Sequence, residues 1–309
     1  TIIRNILRYC IFSFAMLLRR LFPAHLALER LDIPVMYLDN PVKLVQISDI
    51  HYDEYPIRIH DEFMDKVIKT VNAQDPDIIV ITGDLVQFKP EPIHELLKKH
   101  LSKLSARHGV YCILGNHDYK TDHGPETIVG ALKDSNITML VNETVYPMGK
   151  GQGKLQLVGL GDYSRKRANF RLDCVAADLA MKNTARVVLS HNPDSARELE
   201  PYDIDLVLSG HTHGGQICFP NGSPIIPVLD NIFLLLPRAL LAGISYPRKV
   251  VKNWKWCRGH HILNGAQLEP PKNPQRPMHL YVNRGLATHP PMRLFCDPEI
   301  TVVDLIPKQ

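Results

Sequence analysis

The sequence has no Cys-x-x-Cys pair, no internal repeat and no uninterrupted apolar stretch of the ~20 residues that a membrane-crossing helix requires. Its six cysteines (Cys10, Cys112, Cys174, Cys218, Cys257 and Cys296) are scattered. Their spacing argues against a secreted disulfide framework and fits a reducing compartment. Cys112 in an apolar strand and Cys10 on an apolar helix face read as small buried hydrophobes. Without a repeat period, solenoids and fibres are excluded. The formal charge of +4 on 309 residues is too small to mark a nucleic-acid binder by itself. What remains is an ordinary globular composition, 45% hydrophobic and 22% charged, able to bury a large core.

Charge distribution is more informative than the sum. Residues 1–22 carry Arg4, Arg8, Arg19 and Arg20, and residues 231–268 carry Arg238, Arg248, Lys249, Lys252, Lys255 and Arg258, with no acidic residue in either segment. Both segments are also rich in large aliphatic and aromatic residues. Basic charge interleaved with Leu, Ile, Phe and Trp suits an anionic membrane surface, and no nucleic-acid partner is expected. In residues 2–22 the apolar positions recur at spacings of three and four, predicting an amphipathic helix over residues 1–30 that lies on the membrane rather than spanning it. A helix packed on its own domain is the plainer alternative. A secretory signal fits poorly, because Arg19 and Arg20 follow the apolar run without a small-residue cleavage site.

From about Lys43 onward short apolar runs alternate with helix-period segments, the pattern of an α/β domain over residues 43–309. Strands are predicted at Leu44–Ser48, Ile78–Thr82, Val110–Leu114, Leu155–Gly159, Val187–Ser190, Leu206–Ser209, His279–Asn283 and Ile300–Leu305. Helices are predicted at Ile59–Ala73 and Ile93–Ala106. An apolar, basic insertion occupies about residues 220–276.

Five of these strands end in polar clusters: Ser48-Asp49-Ile50-His51, Thr82-Gly83-Asp84, Leu114-Gly115-Asn116-His117-Asp118, Ser190-His191-Asn192, and Ser209-Gly210-His211-Thr212-His213-Gly214-Gly215. Ligands bind beyond the carboxyl ends of strands in open α/β sheets, so the clusters are expected to converge. They offer carboxylate oxygens, imidazole nitrogens and an amide oxygen but no thiolate, a donor set for Mn²⁺, Zn²⁺, Fe or Mg²⁺. One Asp-x-His alone is weak; five ordered clusters at strand ends are not.

The ordered set Asp49-x-His51, Gly83-Asp84, Gly115-Asn116-His117-Asp118, His191 and Gly210-His211-x-His213 resembles the signature of the calcineurin-like metallophosphoesterases. The resemblance implies a two-sheet α/β sandwich with helices on its outer faces and two divalent cations, Mn²⁺ being the first expectation. It implies one ion held by Asp49, His51 and His213, a second by Asn116, His191 and His211, and Asp84 bridging them. It also implies that His117 faces the substrate's leaving group and that Asp118 holds His117 in place.

A narrower resemblance, to a membrane-associated bacterial branch, rests on Gly214-Gly215-Gln216 and on Tyr281-Val282-Asn283-Arg284-Gly285-Leu286 ahead of Pro291-Met292-Arg293-Leu294. That branch includes envelope phosphatases and a UDP-2,3-diacylglucosamine hydrolase of lipid A synthesis. It implies a lipid-linked nucleotide substrate and a peripheral location on the cytoplasmic face of the bacterial inner membrane. Candidate substrate contacts are Arg165, Arg284 and Arg293 for phosphate, and Leu234, Leu235 and Trp254 for acyl chains. Lys166 and Arg167 beside Arg165 share the alternative of a solvated basic loop, and the insertion shares that of an extra helical layer. A phosphatase of other phosphate esters, and a non-enzymatic membrane adaptor on the same fold, are the rival readings.

Overall fold

The computed structural model describes all residues except 1–20, 22, 121–122, 152, 165–168, 236–249, 265–275, 291 and 309. Its framework is a pair of six-stranded sheets packed face to face. The first is built from β1 (Ala27–Val35), β2 (Val42–Ile47), β3 (Ile78–Thr82), β4 (Val110–Ile113), β5 (Ile137–Met139) and β12 (Glu299–Pro307), in the order β1-β12-β2-β3-β4-β5. The second contains β6 (Glu143–Val145), β7 (Leu155–Gly159), β8 (Ala185–Leu189), β9 (Leu206–Ser209), β10 (Gly259–Leu263) and β11 (Met278–Val282), in the order β10-β11-β9-β8-β7-β6. In each, neighbouring central strands run parallel, and their sequences are rich in Val, Ile and Leu, as suits strands covered on both faces.

Side chains alternate across the strands. Leu44, Ile78, Val80, Ile113, Leu157, Val187, Leu189 and Leu208 fill the space between the sheets. Val45, Ile47, Ile79, Ile81 and Cys112 face outward from the first sheet. Over them pack α1 (Asp61–Asn72) and α2 (Pro92–Lys99), with α3 (Gly124–Lys133) beside them. Helix α1 presents Met64, Val67, Ile68 and Val71 on one face, starts with Asp61 and Glu62 and carries Lys69 in its last turn, charges that match its dipole. The outer face of the second sheet, including Val158, Val188, Val207 and Leu280, is covered by the one-turn helices α4 (Ala176–Leu179) and α5 (Ala196–Leu199).

Three boundaries differ from expectation. The domain starts before residue 43: Ala27–Val35 is a strand in nine-residue register with Glu299–Pro307, so the expected helix over 1–30 has ended by Ala27. Residues 1–20 and 22 of that segment lie outside the described residues. The helix expected over Ile93–Ala106 stops at Lys99 and continues only as a 3₁₀ turn, Leu101–Lys103. The insertion adds α6 (Ile226–Leu235), a 3₁₀ turn at Trp254–Trp256 and edge strand β10, antiparallel to β11. Among the described residues no helix is long and apolar enough to cross a membrane.

Candidate metal centre

The polar clusters lie just beyond the carboxyl ends of β2, β3, β4, β8 and β9, where the two sheets meet. Asp49, His51, Asp84, His211 and His213 all have positive φ, between 44° and 72°. Non-glycine residues adopt this conformation at a cost of roughly 1–3 kcal/mol each, sustained only where the surroundings hold them. Here the strands place the backbone and the glycines make room. A Cβ on Gly210 would lie 2.3 Å from Asp49 Oδ2, and one on Gly83 would lie 2.7 Å from His191 Nδ1.

The side chains converge as two linked groups. His51 Nε2 is 3.1 Å from His213 Nε2, and Asp49 Oδ1 lies 3.8 and 3.5 Å from those two nitrogens. His191 Nε2 is 3.3 Å from Asn116 Oδ1 and 3.2 Å from His211 Nδ1. Asp84 Oδ2 stands between the groups, 3.5 Å from His51 Nε2 and 3.3 Å from His191 Nε2. Its other oxygen accepts the His117 backbone N–H at 2.7 Å, and both Asp49 oxygens accept the His211 N–H.

The outer nitrogens show that this donor set fits divalent cations. His191 Nδ1 donates to the Thr82 carbonyl at 2.7 Å and His211 Nε2 to the Val250 carbonyl at 3.1 Å. Each carbonyl fixes a tautomer and turns the other nitrogen inward, as in metal-ligating imidazoles. Burial pushes His51 and His213 well below the ordinary histidine value, leaving neutral rings with lone pairs to offer. Burial acts on His191 in the same sense, but the Asp84 carboxylate outweighs it and raises His191 to about 10. Burial would raise Asp84; the surrounding histidines, His191 foremost, hold it well below the carboxylate range. The proton on His191 thus sits where a cation would replace it. Three groups of donors, His51/His213/His289, His51/Asp84/His117 and Asp84/His191/His211, each bring their ligand atoms within 4.8 Å of one another.

Several expected roles are reassigned by these contacts. Asp118 accepts the backbone N–H groups of Leu85, Val86 and Gly115, and no described hydrogen bond joins it to His117. His117 is oriented instead by the Gln87 carbonyl, 3.0 Å from Nδ1, and the Lys120 ammonium lies against its ring. Burial lowers the His117 pKa. Arg284 pairs with Glu29 and Glu299 at 2.7 Å, and Arg293, 3% exposed, donates to the Arg284, Gly285 and Ala287 carbonyls. Both arginines build the wall behind His213 rather than lining the cavity in front of it. Arg165, Lys166 and Arg167 lie outside the described residues, as do the side chains of Leu234 and Leu235, whose backbone ends α6. Trp254 is buried in the cavity wall, its indole N–H without a partner among the described residues. His289 was not anticipated. Its Nε2 is 3.1 Å from His213 Nε2, and burial, then the Arg58 charge, push it down to about 3. A lone histidine in Thr288-His289-Pro290 has no spacing that distinguishes it from any loop residue.

A cavity of ≈ 1520 Å³ opens on the cluster, reaching Asp84, Asn116, His117, His211 and His213. Its further walls carry Phe88, Phe170, Ile226, Val250, Val251 and Trp254. The insertion is tied to the centre: Asp194 accepts the Lys252 and Asn253 backbone N–H groups at 2.6 and 3.1 Å, and Thr212 Oγ1 donates to the Cys257 carbonyl at 2.6 Å.

Comparison with known proteins bears on this arrangement. A family model described as calcineurin-like phosphoesterase matches residues 42–215, more than half of the chain. An uncharacterised metallophosphoesterase of Campylobacter jejuni is 35% identical over 199 residues, 62% of this chain and 49% of that protein. The chain therefore spans about half the length of that relative. The phosphodiesterase YaeI of Escherichia coli is 28% identical over 275 residues, covering 87% of this chain and 85% of YaeI. The UDP-2,3-diacylglucosamine pyrophosphatase LpxG of Chlamydia muridarum is 27% identical over 326 residues, covering 91% of this chain and 89% of LpxG.

Proposed function

Because the chain belongs to the calcineurin-like phosphoesterase family, we propose that it is a two-metal hydrolase acting on the pyrophosphate of UDP-2,3-diacylglucosamine, releasing UMP and 2,3-diacylglucosamine 1-phosphate. Asp49, His51 and His213 would hold one cation, Asn116, His191 and His211 the other, and Asp84 both. Mn²⁺ is the first choice, and Zn²⁺, Fe and Mg²⁺ suit the same donors. Two such cations supply an activated water and neutralise charge on the phosphoryl oxygens.

The observation that carries the lipid-linked substrate is the apolar wall of the cavity. A phosphate ester alone occupies little of ≈ 1520 Å³, and the side chains of Phe88, Phe170, Ile226, Val250 and Val251 have nothing polar to offer it. Acyl chains gain ~0.8 kcal/mol for each buried methylene against such a surface. Likeness to LpxG over most of both chains supports the same reading. His117 accords with it: a buried, neutral imidazole is a poor acid, and a phosphate leaving group needs no proton, its second pKa being ~6. Lys120 against the ring adds positive charge on that side. A lipid-linked substrate places the protein at a membrane surface, and we infer the cytoplasmic face of the inner membrane.

Likeness to YaeI favours a second reading, hydrolysis of simpler phosphodiesters. Purified protein loaded with Mn²⁺ and given UDP-2,3-diacylglucosamine or bis(p-nitrophenyl) phosphate separates the two. UMP and the lipid phosphate, identified by mass, are expected from the first substrate. Turnover of the chromogenic diester alone would leave the second reading. A chain that binds no tight pair of ions and turns over neither substrate would leave a non-enzymatic adaptor.

A further inference from the structure

His289 and Arg58 reach the metal-ligand cluster from two loops that are locked together. Thr288 N donates to the Arg58 carbonyl at 3.1 Å, His289 N donates to Gln216 Oε1 at 2.8 Å, and Gln216 Nε2 donates back to the His289 carbonyl at 2.9 Å. The imidazole stands edge-on to His213 and His51, with ring centres 4.4 and 4.6 Å away, and it borders the cavity. On its far side Arg58 Nη1 lies 2.8 Å from His289 Nδ1, while the guanidinium stacks over Phe88 at 5.5 Å.

Arginine carries donors only and stays protonated. The nitrogen it faces therefore holds a lone pair, and the single proton of the ring sits on Nε2, the atom 3.1 Å from His213 Nε2. A metal ligand at that position needs the opposite tautomer, with the lone pair on Nε2. The contact of Arg293 with His213 Nδ1 has no such consequence: at 3.3 Å it is longer than the three contacts, 2.7, 3.1 and 2.7 Å, that the same Nη2 makes with carbonyls. We propose that His289 is a catalytic residue that donates its Nε2–H to a phosphoryl oxygen of the substrate, with Arg58 as the positioning residue that fixes its tautomer. The proposal rests on the hydrolase reading of the site given above.

The test uses the full chain loaded with metal. In ¹⁵N-histidine long-range correlation spectra of the Zn²⁺ protein, His289 is expected as the Nε2–H tautomer, and Arg58→Met shifts it toward a mixture. His289→Ala is expected to retain two ions per chain and the visible absorption of the Co²⁺-loaded protein, while kcat for bis(p-nitrophenyl) phosphate falls ~10²-fold, the usual cost of one donor to a developing charge. His289→Gln, which keeps an N–H and the fold, recovers part of that loss. Loss of an ion, an altered Co²⁺ spectrum, an Nδ1–H tautomer, or His289→Ala turning over as fast as wild type overturns the proposal. A wild-type protein that holds two ions and hydrolyses nothing overturns the hydrolase reading instead, and the spectra tell the two failures apart.

Discussion

Gly115 offers a direct way to move the bridging carboxylate without touching a donor. A Cβ at this position would stand 2.3 Å from Asp84 Oδ1, 2.8 Å from Asp84 Cγ and 2.5 Å from the Asp84 backbone nitrogen. Comfortable non-bonded contacts lie near ~3.5 Å, so the carboxylate must shift by about 1 Å, and the nitrogen, fixed at the end of β3, has no rotamer to escape into. Overpacking of this kind costs about 1–3 kcal/mol, a fall in Tm of about 2–6 °C at roughly 2 °C per kcal/mol. The chemical effect should be larger. Asp84 lies within 3.5 Å of nitrogens from both ligand groups, and Oδ1 also holds the His117 backbone N–H at 2.7 Å. A misplacement of about 1 Å at reacting groups lowers turnover roughly 10²-fold. Gly115→Ala is therefore expected to melt a few degrees early, bind metal more weakly by calorimetry, and turn over a chromogenic phosphodiester about a hundred times more slowly. The control is Gly130→Ala on α3, where no atom lies within 4 Å of the added carbon and helix propensity favours alanine by about 0.5–1 kcal/mol. If Gly115→Ala binds two ions and turns over like wild type, the tight packing around Asp84 does not govern the centre and the reasoning fails.

His117→Ala is expected to keep both ions and to slow turnover of the diphosphate, whose phosphate leaving group needs no proton, by far less than the ~10²–10⁴-fold that loss of a general acid costs; a chain that loses metal in plasma emission measurements would make His117 a ligand. In metal-free protein, burial, then the Asp84 charge, push Asp118 up to about 7. The folded chain then keeps a proton that the unfolded chain, with a carboxyl pKa of about 4, has released, so this group's contribution to stability falls as pH rises from about 4 to 7 and is level above. Melting of chelator-treated wild type should decline across that window more steeply than melting of Asp118→Asn, and parallel curves would contradict the assignment. Val250 is 44% exposed and lines the cavity. Val250→Asn should raise KM for the diacylated substrate about 5-fold, from ~1 kcal/mol of lost apolar contact, while leaving a small diester unchanged; equal losses on both would assign the wall to packing alone.

Most of the framework was legible in the sequence because buried parallel strands leave a local mark. Ile78–Thr82 and Leu206–Ser209 are apolar up to a final hydroxyl residue, Leu155–Gly159 is interrupted only by Gln156, and the ends of all three coincide with the structure. The five polar clusters were legible for a related reason: each follows its strand within a few residues, so strand prediction also places the donors. Strand β1 leaves no comparable mark. Its burial alternates, with Glu29 and Arg30 among its residues, and the partner that makes it a strand begins at Glu299, so only the folded chain reveals the pairing. The same distance misdirected the reading of Arg284 and Arg293. Their charge was visible, but Glu29, Glu299 and the carbonyls that occupy them were not. His289 depends on Arg58, far away in sequence, for its orientation, and Asp118 spends its oxygens on backbone N–H groups that no motif records.

The seam between the sheets has a consequence for every part of the molecule that never meets a substrate. Asp49, His51, Asp84 and Asn116 follow strands of the first sheet, and His191, His211 and His213 follow strands of the second. Each proposed cation therefore takes donors from both halves, and neither half alone presents a complete set. Affinity for metal becomes a gauge of how the halves are docked. The side chains that set their separation, Leu44 and Ile113 against Val187 and Leu208, are calibrating parts of the catalytic instrument. Repacking them detunes the centre while every donor keeps its identity.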